Sequence, residues 1–109
     1  MSADALSTLE LLALLAVLRL DDTAYGVSIA DEVATARGRP VSMAAIYNAL
    51  ERLEDRGLVI GELGTPTAER GGRAKRFMSV TPQGLAAVRT TRTALMRMWD
   101  IPVLKGRSS

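Results

Sequence analysis

The sequence contains no cysteine and no histidine. The first absence excludes disulfides and thiolate chemistry and fits a reducing compartment. The second removes the commonest general base and the commonest transition-metal ligand. Only four aromatic residues occur, Tyr25, Tyr47, Phe77 and Trp99, so the core must be aliphatic. The apolar run Leu11 to Leu18 falls far short of the roughly 20 residues that a bilayer crossing needs. The N-terminus lacks a basic stretch of the kind that opens a secretory signal, so a soluble, cytoplasmic chain is expected.

Catalytic constituents are equally scarce. No G-x-x-x-x-G-K-[ST] run is present, so the glycines do not form a nucleotide-binding loop. The Asp21-Asp22 pair is explained by turn capping more simply than by metal binding. Neither an enzyme nor a cofactor is expected.

What the sequence does have is an uneven distribution of charge. Residues 1–36 carry one basic and six acidic side chains, a net −5. Residues 37–109 carry thirteen basic and six acidic, a net +7. A basic face is compatible with the small overall charge of +2. At 109 residues the chain is long enough for one domain, and a partner subunit commonly completes so small a core.

The basic charge concentrates in E-R-G-G-R-A-K-R, residues 69–76. Gly71-Gly72 allows a tight turn there, because glycine reaches positive φ without a Cβ clash. Strand-like runs flank it, Leu58 to Leu63 and Ala74 to Val80. The expected product is a hairpin with Arg70, Arg73, Lys75 and Arg76 around its tip. Such a tip suits a polyanion's phosphates; a solvated basic turn is the alternative. Strand alternation puts Arg73 and Lys75 on one face and Arg76 on the other, where it meets phosphate or pairs with a carboxylate.

Helical patterns fill the rest. Ser7 and Glu10 form a capping box for a helix from Ser7 to Leu20. Its Leu11, Leu12, Leu14, Leu15 and Leu18 surround nearly the whole circumference, which requires burial on more than one side. One side suits the domain core and the other a second subunit. A second helix is expected from about Ala24 to Arg37, with Ile29 and Val33 facing inward and Gly38 ending it. Val41 is expected to add a one- or two-residue strand. Ser42 caps a third helix from Met43 to Arg56, whose Ile46, Leu50 and Leu53 form the buried stripe. Met43, Ala44, Ala45 and Asn48 of its N-terminal half are candidates to face base edges. Asn suits adenine and small apolar groups suit a thymine methyl. Asn48 also fits a solvated helix position. Ser42 serves as cap or phosphate ligand, and Tyr47 as core edge or phosphate ligand. The acidic C-terminal half (Glu51, Glu54, Asp55) cannot lie against phosphates, so anion contact falls to the N-terminal half, as the helix dipole also favours. Thr81-Pro82 starts a last helix running to about Asp100. Its late apolar positions, Leu95, Met98 and Trp99, exceed what a small domain can cover. Residues 101–109 are expected to form a flexible tail.

Three helices, a hairpin and a long helix define a mainly α fold with a two-stranded wing, a winged helix-turn-helix with a dimerisation helix at about 82–100. Several pieces together resemble the PadR family of bacterial transcriptional regulators: Tyr25-Gly26; Ile46-Tyr47 with Leu50, Leu53 and Gly57-Leu58-Val59; and Gly71-Gly72-Arg73 through Phe77 into Thr81-Pro82-Gln83-Gly84. The resemblance spans roughly residues 9 to 99 and points to the short subfamily. It implies a homodimeric repressor that binds double-stranded operator DNA through Ser42, Met43, Ala44, Tyr47, Asn48, Arg70, Arg73 and Lys75. It also implies pairing of the last helix with the partner's first, through Leu11, Leu15, Leu18, Leu95, Met98 and Trp99. A cavity between subunits would take a flat aromatic effector against Trp99. A winged helix that binds protein instead of DNA is the alternative reading.

Overall fold

A computed structural model describes residues 5–64 and 75–105. The elements are α1 (Thr8–Leu20), α2 (Gly26–Arg37), α3 (Met43–Asp55), β1 (Val59–Leu63), β2 (Arg76–Val80) and α4 (Pro82–Met98), with 3₁₀ turns at Asp21–Thr23 and Pro102–Lys105. The last of these occupies the start of the expected tail; residues 106–109 lie outside the described residues.

Three of the four helices, α1, α3 and α4, start where a side-chain cap dictates. Ser7 Oγ accepts from the Glu10 amide at 3.1 Å, and Glu10 Oε1 accepts from the Ser7 amide at 2.8 Å. Ser42 and Thr81 cap α3 and α4 in the same manner, through the amides of Ala45 and Gly84. At the end of α3, Gly57 adopts φ 76° and the Leu58 amide donates back to Leu53 O at 2.9 Å. This turn points Leu58 and Val59 into the core.

The core is aliphatic, as expected. Leu14, Ile29, Val33, Ile46, Leu53 and Val59 are fully buried where α1, α2, α3 and β1 meet. The strands pair antiparallel with Val59 opposite Val80 and Gly61 opposite Met78, and Met78 closes the core from the wing side.

Two expectations fail, one at the N-terminus of α2 and one between α2 and α3. The helix begins at Gly26, two residues late, because Ala24 and Tyr25 are extended. Ala24 O accepts from the Met78 amide at 2.8 Å, and Tyr25 forms a bridge with Phe77. This segment occupies the free edge of β2. Val41, expected to supply a short strand, lies in irregular backbone packed against the core.

α4 leaves the body of the domain. Gly84 is its one buried residue, and every position from Arg92 to Met98 is exposed. The molecule therefore measures 59 × 32 × 21 Å, with a radius of gyration of 16.0 Å. A compact chain of this length would have about 13 Å.

Candidate nucleic-acid interface

The N-terminal half of α3 presents Ala44, Tyr47 and Asn48 on one exposed face at i, i+3 and i+4, beside the exposed cap Ser42. Ser42 Oγ accepts from Ala45 at 3.0 Å, so capping is its structural role, with the hydroxyl proton still available to a ligand. Met43 and Ala45 are half-buried, and Met43 packs on the core edge.

Tyr47 is 55% exposed, yet its ring is seated. It lies over Gly26, where an added Cβ would stand 2.5 Å from the Tyr47 hydroxyl oxygen. Glycine at this position lets the ring of α3 rest on the first turn of α2. The sequence displays both residues but not their contact; a glycine opening a helix is the one available signal.

The wing root meets the same place from the other side. Lys75 Nζ stands 4.0 Å from the centroid of the Tyr25 ring, a cation–π arrangement. Tyr25 in turn packs edge-on to Phe77, with centroids 5.7 Å apart. Tyr25 and Gly26 are adjacent, so Lys75 and the exposed face of α3 converge on the start of α2. Arg70 and Arg73 lie outside the described residues.

Arg76 takes the second of its two expected roles. Its guanidinium crosses Gly61, where a Cβ would come within 2.5 Å of its central carbon, and grips Glu54 with both nitrogens, Nη1 to Oε1 at 2.9 Å. This hydrogen-bonded pair holds the Glu54 carboxyl below its ordinary range and strengthens Arg76's hold on its proton. Arg76 anchors the wing to the acidic half of α3 and is not a phosphate ligand in this arrangement.

Arg52 has a similar internal role that sequence reasoning missed. Its Nε donates to Glu10 Oε2 at 2.9 Å, and Arg56 Nη1 stands 3.6 Å from Glu10 Oε1. Burial pushes the Glu10 carboxyl up, but the Ser7 amide, Arg52 and Arg56 together bring it below its ordinary 4.5. A carboxyl lowered in the folded state contributes stability that is complete above the unfolded value and is lost as pH falls through the folded value. The melting-temperature gap between the unsubstituted protein and Glu10→Gln should therefore be constant near neutrality and close below about pH 4.5. A gap that persists unchanged at pH about 3 would contradict this account.

A second surface lies between α1 and α4. Leu11, Leu15, Val88, Leu95, Met96 and Trp99 line an apolar groove of about 500 Å³, with Arg92 its one charged lining residue. Leu15, Leu18, Leu95, Met98 and Trp99 are all exposed, at 36, 40, 41, 75 and 54%. Among the described residues no helix is long and apolar enough to cross a membrane, and no group of three or more potential metal ligands occurs.

A helix-turn-helix with an antiparallel wing braced on its third helix defines a winged helix-turn-helix protein. The sequence matches the Transcriptional regulator PadR-like family over residues 14–90, and the chain belongs to that family. It is thus a DNA-binding transcriptional regulator and not an enzyme. Solved structures share the fold. A PadR family transcription regulator from Clostridium difficile R20291 aligns over 88% of this chain and 95% of its own, at 17% identity and TM-score 0.72. One from Eggerthella lenta DSM 2243 aligns over 82% and 75%, at 22% identity and TM-score 0.66. BpsR of Bordetella bronchiseptica, whose DNA binding is regulated by 6-hydroxynicotinic acid, aligns over 92% and 71%, at 19% identity and TM-score 0.60. No curated protein matches the sequence.

Proposed function

We propose that the protein is a homodimeric repressor that holds operator DNA with the N-terminal half of α3 and with its wing. The observation that carries this reading is the convergence of Lys75 and the exposed Ala44–Tyr47–Asn48 face on the start of α2. Asn48 and Ala44 meet base edges in the major groove; Ser42, Tyr47 and Lys75, with Arg70 and Arg73, take phosphates. At the acidic end of α3, Glu54 is paired with Arg76, which offsets part of its charge. The apolar groove and exposed last turns of α4 offer a surface for a second copy, and half-sites about one helical turn apart are the spacing expected of such a dimer. A planar aromatic effector fits the same groove against Trp99, and the BpsR neighbour is regulated by a molecule of that shape.

Mobility shift on DNA upstream of the protein's own gene, at two salt concentrations, tests the reading. Affinity should fall steeply with salt, as several phosphates are neutralised. Lys75→Ala should weaken binding to all sequences alike, by up to about tenfold, whereas Asn48→Ala should lose about 1–3 kcal/mol on the preferred sequence only. No retention of duplex at low salt would refute the proposal and favour a protein partner.

A further inference from the structure

We infer that Glu10 is a positioning residue for sequence discrimination: from α1 it fixes the rotation of α3, and so the aim of its base-reading face. The inference rests on the DNA-binding reading above and adds to it a residue remote from the duplex.

Glu10 is the one buried charged side chain among the described residues, at 6% exposure. Such burial is costly unless every lone pair is used. Here Oε1 takes the Ser7 amide at 2.8 Å and Oε2 takes Arg52 Nε at 2.9 Å, while Arg56 adds its charge and donates to Ala5 O at 3.0 Å. The positions of the partners matter more than the strength of the bonds. Ala44, Asn48, Arg52 and Arg56 recur every four residues along one stripe of α3 and its end. The outer half of that stripe is the exposed reading face; the inner half is gripped by Glu10. The buried stripe of Ile46, Leu50 and Leu53 is aliphatic and non-directional, so it tolerates small rotations of the helix. A hydrogen bond from Arg52 to a fixed carboxylate, with Arg56 held beside it as a second charge, does not. Buried ion pairs often add little to stability beyond what apolar packing gives, and their directional geometry is what sets them apart.

The test uses the full chain and two probes, a duplex selected from a random pool by the unsubstituted protein and an unselected duplex of the same length. Glu10→Met and Glu10→Gln should lower the selected-to-random affinity ratio about tenfold, the cost of one mismatched base contact, and leave random-duplex binding and its salt slope unchanged. Exchanging the charges in Glu10→Arg/Arg52→Glu should recover part of the ratio. Titration of active protein separates this from loss of folded molecules, because a purely structural role lowers binding to both probes equally. Should the Glu10 variants fail to fold, Arg52→Gln carries the test, since Arg52 is 53% exposed. A lowered ratio at constant salt slope supports positioning; a slope reduced by about one phosphate marks Arg52 as a DNA ligand and overturns it. A ratio kept within about twofold in folded variants overturns it too. Failure of the unsubstituted protein to retain either duplex is the distinct result that removes the DNA-binding reading itself.

Discussion

Replacing Gly84 by alanine is expected to lower stability by about 2 kcal/mol or more, near the upper range for an overpacked core. The added methyl would stand 2.2 Å from Leu58 O and 2.7 Å from Val80 Cγ1. The first of these neighbours is backbone and is held in place. Leu58 O accepts from the Thr81 amide at 3.0 Å, and Thr81 Oγ1 donates to Gly57 O at 2.7 Å. Relief requires α4 to move off Leu58 and break that clasp. Alanine's higher helix propensity returns about 1 kcal/mol and does not offset the clash. At fixed protein concentration the midpoint should fall by roughly 10 °C. Gly38→Ala is the control: nothing lies within 4 Å of the new methyl, and only the left-handed φ of 75° is penalised, about 1–2 kcal/mol. An unchanged melting temperature for Gly84→Ala would mean that α4 is not seated on Leu58 and Val80.

Leu95→Asp should abolish the proposed pairing of subunits while sparing the fold of each. Leu95 is 41% exposed in the single chain and lines the apolar groove. A carboxylate there stays hydrated in a monomer, but a second subunit covering the groove would strip its water, at a cost of several kcal/mol. Light scattering at micromolar concentration should then report monomers. Operator affinity should drop by about 10²–10⁴, the contribution of engaging two half-sites together. A variant that remains dimeric with operator binding intact would place the subunit contact elsewhere.

Local signals in the sequence were legible. Ser7 with Glu10, Ser42, and Thr81 with Pro82 start helices α1, α3 and α4 where their hydrogen bonding requires, and the Ile46–Leu50–Leu53 stripe is buried as its spacing predicts. Contacts between distant residues were not. Glu10 fills its capping role, and nothing local shows that its second oxygen meets Arg52, 42 residues away. Arg76 shares the composition of the basic tip, and only the pairing of Leu63 with Arg76 brings it over Gly61 to Glu54. Nothing local to Tyr25 separates it from the helix that follows, and it is the edge of β2, reached through Phe77, that holds it extended.

α4 carries Arg89, Arg92 and Arg97 and no aspartate or glutamate. In the proposed pairing both copies of this helix lie at the seam, so their arginines repel, a repulsion that added electrolyte weakens within a Debye length of about 10 Å at 0.1 M. Self-association should thus tighten over the same range in which the grip on phosphates loosens. At low protein concentration, occupancy plotted against ionic strength becomes bell-shaped, with its maximum where the two opposing responses balance.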